Sequence, residues 1–238
     1  MKKLSKWLIG ILIGIIVLIL ITFLVVKNKE YQPSTTAQTA ANSSTMINST
    51  TKFQGDDSNP KVIFYPGALV EPKSYSIWAN KVSQAGYSVY IVRFPLDLAV
   101  LNVNAANKIS KNNGYIIGGH SLGGTMASRY AKNHQKNLLG VFFLASYPEK
   151  KGDLHEINVP VLSLTASKDG VLNQTSYQEA KKLLPNDTIY EQISGGNHAG
   201  FGSYGKQKGD NTASISNQKQ QNTVSKLLIN WLNSNISK

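Results

Sequence analysis

The sequence predicts an α/β protein, a parallel sheet of about six strands covered by helices on both faces. Three observations lead there. Short apolar, partly β-branched runs at 61–65, 87–93, 115–120, 139–145, 159–165 and 188–193 have strand length and end at Gly, Pro or polar clusters. Stretches with helical spacing separate them, at 73–85, 98–111, after Ser121, near 175–184 and around 223–232. Strict alternation of the two kinds of element requires a crossover after each strand, and crossovers make strands parallel, with ligands at their C-terminal ends.

In chain order, residues 1–6 are a basic tail carrying Lys2, Lys3 and Lys6, and residues 7–26 contain no charge. Twenty such residues span about 30 Å as a helix, the thickness of a bilayer's hydrocarbon, so 7–26 reads as a transmembrane anchor. A cleaved signal peptide is the alternative; its apolar region is shorter, and no small-x-small site follows directly. Three lysines and the α-amino group precede the span, whereas Lys27 and Lys29 beside Glu30 follow it. That asymmetry predicts a single-pass protein of the cell membrane with its N-terminus cytoplasmic and the rest extracytoplasmic. Residues 27–59 are rich in Ser, Thr, Asn, Gln and Ala, with little large and apolar apart from Met46, Ile47 and Phe53. They read as a flexible linker before a catalytic domain at 60–238.

The first core strand, 61–65, stops at Pro66-Gly67, and the helix 73–85 ends at Gly86. The second strand closes at Phe94-Pro95. A helix over 98–111 then leads to Tyr115-Ile116-Ile117-Gly118-Gly119-His120-Ser121-Leu122-Gly123-Gly124. Here an apolar strand turns sharply into a helix through Gly-x-Ser-x-Gly. Side chains at Gly119 and Gly123 would collide as the chain folds back, and the turn holds Ser121 outward. The five-residue pattern alone is weak in a chain with 19 glycines; its strand-turn-helix context is what makes it specific.

Composition narrows the chemistry further. There is no cysteine, so disulfides, thiolate metal sites and cysteine nucleophiles are excluded. The formal net charge is +12; the termini of the anchor contribute +4, and +8 remains from Tyr31 onward. Attraction to an anionic cell surface follows. Nucleic-acid binding does not, because the lysines are dispersed, only two arginines occur, and no aromatic residues interleave with basic ones.

A serine hydroxyl needs a base, and the base needs an orienting acid. The candidates for the base are His120, His134, His155 and His198. His120 adjoins the serine but points away from the elbow, His134 is three turns along the helix, and His155 is in a polar connection. His198 lies in the glycine-rich stretch 195–205 after the last strand, where a loop can reach across the sheet edge. Asp169 directly follows the strand 159–165 and is the preferred acid, with Asp153, after the preceding strand, as its rival. For the oxyanion, one N–H comes from Leu122, the residue after the nucleophile. Another comes from the loop after the first strand, at Ala68 by preference or Leu69, since Pro66 has no N–H to give. Arg93, at a strand end, reads as a salt-bridge partner slightly ahead of a substrate contact.

On Tyr65-Pro66-Gly67-Ala68, Arg93-Phe94-Pro95, Gly119-His120-Ser121-Leu122-Gly123-Gly124, Ser167-Lys168-Asp169-Gly170 and Gly196-Asn197-His198-Ala199-Gly200-Phe201, residues 61–232 resemble the α/β-hydrolase superfamily and its compact bacterial fold-5 subgroup. The chain order Ser121, Asp169, His198 is the order of that superfamily. The resemblance implies an α/β-hydrolase-like sheet and hydrolysis of a carboxylic ester or similar acyl bond on a small-molecule acyl substrate. It implies neither metal nor cofactor. Two departures stand out: about fifteen residues between Ala145 and Val161 leave no room for a lid domain, and no antiparallel strands are expected before the first core strand. An acyltransferase or peptidase on the same scaffold, and a noncatalytic surface-binding protein, are the alternatives.

Overall fold

The structure, a computed structural model, describes residues 2–110 and 114–236, with side chains at 7–18, 26–110 and 114–236. The chain divides into two units, Met1–Glu30 and Tyr31–Lys238. The first is a single helix, α1 (Lys2–Asn28), with Lys27 paired to Glu30 beyond its end. Trp7, Leu8, Leu12 and Leu18 are among its exposed apolar side chains. Among the described residues, no helix is long and apolar enough to cross a membrane. The apolar run described with side chains, 7–18, rises only about 18 Å. The side chains at 19–25, which the sequence reading counts within the 7–26 span, lie outside the described ones.

The second unit is built on one sheet of eight strands in the order β1-β2-β4-β3-β5-β6-β7-β8. These are β1 (Ser44–Ile47), β2 (Thr50–Phe53), β3 (Lys61–Tyr65), β4 (Val89–Val92), β5 (Tyr115–His120), β6 (Leu138–Leu144), β7 (Val161–Ala166) and β8 (Ile189–Ile193). From β4 to β8 every pairing is parallel. The helices are α2 (Thr35–Ala41), α3 (Ser76–Gln84), α4 (Leu122–Asn133), α5 (Gln174–Ala180) and α6 (Asn217–Asn235). Successive residues of a strand face opposite sides of its sheet, and the two cores divide accordingly. Phe64, Ile116 and Phe142 pack with Trp78 and Val82 of α3 and Leu228 and Trp231 of α6. Their neighbours Tyr65, Ile117 and Phe143 pack with Met126, Ala127 and Tyr130 of α4 on the other face. Each of these fully buried large side chains contributes roughly 1.5–3 kcal/mol.

Several expectations are corrected. The stretch 27–59 is not a flexible linker: α2 and the β1–β2 hairpin lie inside it, and β2 pairs antiparallel with β4 through Thr50↔Val92 to Phe53↔Val89. The sheet therefore has eight strands rather than six, and antiparallel strands do precede the first parallel one. Asn48 (φ 47°) and Ser49 (φ 64°) supply the two left-handed residues of a tight hairpin turn. Beside Phe53, the small groups Ala37 and Thr51 are buried, and a search for large apolar residues overlooks them. The domain accordingly begins at Tyr31, whose N–H donates to the Leu69 carbonyl (2.7 Å) and whose carbonyl accepts from Glu71 (3.1 Å).

The helix expected at 98–111 is replaced by 3₁₀ turns at Ala99–Leu101 and Val103–Lys108. Asn102, Asn104 and Asn107 are poor helix formers, which compete for backbone hydrogen bonds. Lys111, the last residue of that expected helix, lies outside the described residues. Between β6 and β7 the described chain holds only a 3₁₀ turn, Lys150–Gly152.

Candidate active site

The turn between β5 and α4 is strained at one residue, Ser121, with φ 51° and ψ −126°. A non-glycine residue in this region costs of order 1–3 kcal/mol and persists only where its surroundings enforce it. They do so here. The Ser121 N–H donates to the Leu144 carbonyl (3.1 Å), and its carbonyl accepts from the Gly124 N–H (3.0 Å) and the Ser146 hydroxyl (2.6 Å). The flanking glycines are required by backbone contacts. A methyl group at Gly119 would lie 2.5 Å from the Gly123 carbonyl carbon, and one at Gly123 would lie 2.1 Å from the Tyr65 carbonyl oxygen. The loop after β3 is thereby pressed onto the first turn of α4.

Ser121, Leu122 and His198 line one cavity of about 260 Å³ with Thr125, Tyr147, Val171, Leu172 and Asn173. Among the described residues, no Lys, Arg, Asp or Glu lines it. His198 is buried, and its Nδ1 lies 2.9 Å from Asp169 Oδ2, whose side chain is fully buried. The other Asp169 oxygen accepts from the N–H groups of Val171 and Leu172, each at 2.8 Å. With a carboxylate accepting at Nδ1, the neutral ring carries its proton there and presents Nε2 as the acceptor. That Nε2 has no hydrogen-bond partner among the described residues. A larger cavity of about 620 Å³, lined by Asn48, Lys61, Tyr90 and Asn104 among others, includes none of these groups and lacks their chemistry.

In the loop after β3 the amides are accounted for one by one. Gly67 N–H donates to the Tyr75 hydroxyl (2.9 Å), Leu69 N–H to the Asp97 carbonyl (2.9 Å), and Val70 N–H to the Gly67 carbonyl (3.3 Å). Pro66 has no N–H. Ala68 is left, its N–H without a partner among the described residues; it is not among the residues that line the cavity. Leu122, the first residue of α4, likewise keeps its N–H free of partners among the described residues.

The other histidines go elsewhere. His120 is buried, with Nδ1 2.9 Å from the Tyr75 hydroxyl and its ring 4.5 Å from that of His198. The Tyr75 oxygen also accepts from the Gly67 N–H, and which of Tyr75 and His120 donates to the other is set by the imidazole tautomer. Burial, then the neighbouring His198, holds His120 well below the ordinary histidine range, so it is neutral near pH 7. His134 stacks on the Tyr130 ring at 4.1 Å. His155 is exposed and engages Asp153, Nδ1 to Oδ1 2.8 Å, which raises its pKa and leaves Asp153 serving a different histidine. Arg93 pairs with Glu71 and reaches Asp97 at 3.8 Å.

Two residues escaped the sequence reading. Tyr75 looks like an ordinary helix-start aromatic, and Asp210 stands in a polar connection without a motif; neither carries a local signal of what it touches in space.

Together these features define an α/β protein with a strained strand-to-helix turn at Ser121, at the C-terminal end of a parallel strand. The chain belongs to the alpha/beta hydrolase family, whose profile matches residues 61–222. Among solved structures it resembles a dienelactone hydrolase from Anabaena variabilis, with TM-score 0.61 and 12% identity over 82% of this chain and 98% of that one. It also resembles the esterase domain of a Rhodothermus marinus protein, with TM-score 0.58 and 10% identity over 82% and 98%. Mouse alpha/beta hydrolase domain-containing protein 10 is similar at TM-score 0.57 and 14% identity over 80% and 98%. At such identities the likeness is one of fold. A comparison with curated protein sequences gave no match.

Proposed function

We propose that the protein is a serine hydrolase that cleaves a carboxylic ester or related acyl bond through an acyl-enzyme. The observation that carries this reading is the buried Asp169–His198 pair at 2.9 Å, with His198 and the strained Ser121 lining one cavity. Ser121 Oγ attacks the acyl carbon while His198 Nε2 takes its proton, and Asp169 holds the imidazole in the required tautomer. The oxyanion accepts from the N–H groups of Leu122 and Ala68. His198 returns the proton to the leaving alkoxide. Water then attacks the acyl-enzyme, giving its proton to His198, and the carboxylic acid departs as Ser121 regains it.

The cavity supports a narrower substrate class. Its volume of about 260 Å³ is below the roughly 300–1,000 Å³ of sites for drug-sized ligands, and among the described residues no Lys, Arg, Asp or Glu lines it. A short, uncharged acyl group fits that description. The membrane reading belongs here as well: the uncharged run 7–26 supports an anchor with the N-terminus cytoplasmic and the catalytic unit extracytoplasmic, drawn to an anionic surface by its excess of lysine. Retention of the full chain in membranes after carbonate washing tests the anchor; release into the supernatant counts against it.

The enzymatic reading is tested by hydrolysis of p-nitrophenyl esters from acetate to decanoate. Short esters are expected to give the highest kcat/KM, and Ser121→Ala is expected to lose about 10⁶ in kcat. Turnover by Ser121→Ala near that of the wild type would refute it.

A further inference from the structure

Behind the acid and the histidine stands a carboxylate with no part in the chemistry described so far. Asp210 lies in the polar connection before α6, outside any helix or strand. Its Oδ1 accepts from the N–H groups of Gly170 (3.0 Å), His198 (3.3 Å) and Asn211 (2.9 Å), and its Oδ2 from that of Ala199 (2.9 Å). Gly170 is the neighbour of Asp169, and His198–Ala199 is the base and its neighbour. One side chain thus joins the two loops that must meet for Asp169 to reach His198.

The seat is close. A methyl group at Gly170 would lie 2.8 Å from the Gly209 carbonyl oxygen and 2.8 Å from the Asn211 nitrogen, so the acid loop can be flush against 209–211 only with glycine there. Further ties between the loops are on the approach to His198, among them Lys168 N–H to the Gly196 carbonyl and Gly195 N–H to the Ser167 hydroxyl, both 2.8 Å, and Ser167 N–H to the Ile193 carbonyl at 3.1 Å. Buried Gln220 brackets Asn197 from α6, accepting its N–H (3.0 Å) and donating to its carbonyl (2.8 Å). At His198 and Ala199 themselves the amides are held by Asp210.

We propose that Asp210 is a positioning residue of the catalytic centre, fixing the backbone of His198 against the acid loop so that Nδ1 stays on Asp169. The proposal rests on the serine-hydrolase reading. A carboxylate suits the place because every partner is an N–H donor and the carboxylate only accepts. An amide would turn an NH₂ group toward Ala199 or toward Gly170 and His198, donor against donor.

The test compares the full-length wild type with Asp210→Asn and Asp210→Glu, using p-nitrophenyl butyrate kinetics, thermal unfolding and the low-field proton resonance of the His198–Asp169 hydrogen bond, which Asp169→Asn assigns by its loss. In Asp210→Asn we expect kcat to fall roughly 10- to 100-fold with KM within about twofold. The low-field resonance should be broadened or lost at a temperature where the fold is intact. Asp210→Glu, which keeps the charge and both acceptors, should recover part of the rate, and it carries the same readouts if the Asn variant does not fold. Turnover within about threefold of wild type, or a fall in kcat with the resonance unchanged, would overturn the proposal. A fluorophosphonate probe separates the two levels. Wild type labelled at Ser121 with an unaffected Asp210→Asn sinks this proposal alone, whereas unlabelled wild type sinks the hydrolase reading and this one with it.

Discussion

Changing Asp169 to Asn tests its proposed role as the acid, because the substitution is nearly isosteric and the Asp169 side-chain partners among the described residues are defined. The carboxylate accepts three hydrogen bonds, from His198 Nδ1 at 2.9 Å and from the Val171 and Leu172 amides at 2.8 Å. An Asn side chain has one oxygen. If that oxygen keeps the two backbone donors, its NH₂ faces Nδ1, the ring must accept there, and the proton moves to Nε2, where it blocks proton removal from Ser121. The consequence is a histidine in the wrong tautomer and an imidazolium without its counter-charge, which costs about 10⁴ in kcat, or roughly 5.5 kcal/mol of barrier. KM should stay within about threefold, since Asp169 is not among the residues that line the cavity. Initial rates with p-nitrophenyl butyrate measure both constants, and Asp153→Asn is the control. Its carboxylate serves exposed His155, so its kcat should remain within about threefold of wild type. Asp169→Asn retaining a tenth of wild-type turnover, or Asp153→Asn losing most of it, would refute the assignment.

Other outcomes follow from the same geometry. Gly123→Ala forces a methyl against the Tyr65 carbonyl oxygen; a loss of about 3 kcal/mol is expected, seen as a fall of about 6–12 °C in Tm. An unchanged melting temperature would contradict the packing of that loop on α4. Tyr75→Phe removes the partner of both the Gly67 amide and His120 Nδ1. It should cost about 1–3 kcal/mol for each buried group left unpaired, with kcat lowered as the Ala68 amide drifts; wild-type stability would show that other groups satisfy them. His120 also predicts a pH dependence. Because its folded pKa is depressed, the unfolded chain binds more protons, so stability is lost as pH falls below about 6.5, by up to about 1.4 kcal/mol per pH unit. Denaturant titrations across pH 4–8 should show that slope weakened in His120→Gln.

The parts of the fold legible in the sequence are those that bury large side chains. Alternate residues of 61–65, 115–120 and 139–145 face two cores, and such strands read as continuous apolar runs. The elbow was legible for a different reason: its crowding is local, between residues a few positions apart and the loop they press on. The hairpin at 44–53 is not, because β1 is an exposed edge strand held by its backbone ladder to β2, and β2 buries only Thr50, Thr51 and Phe53, which leaves no apolar run to find. The same limit separates the site residues. Ser121, Asp169 and His198 each stand at a turn whose glycines mark it, whereas Tyr75 and Asp210 act on residues 8 to 45 positions away, a relation that only the folded chain expresses.

The central claim, covalent catalysis at Ser121, is tested most directly by trapping the intermediate. The full-length protein is treated with a fluorophosphonate, digested, and mapped by mass spectrometry, with Ser121→Ala and His198→Ala in parallel. A single adduct on the peptide bearing Ser121, absent from Ser121→Ala and formed far more slowly in His198→Ala, is the result expected. An adduct on another serine, or ester hydrolysis that persists in Ser121→Ala, would contradict it.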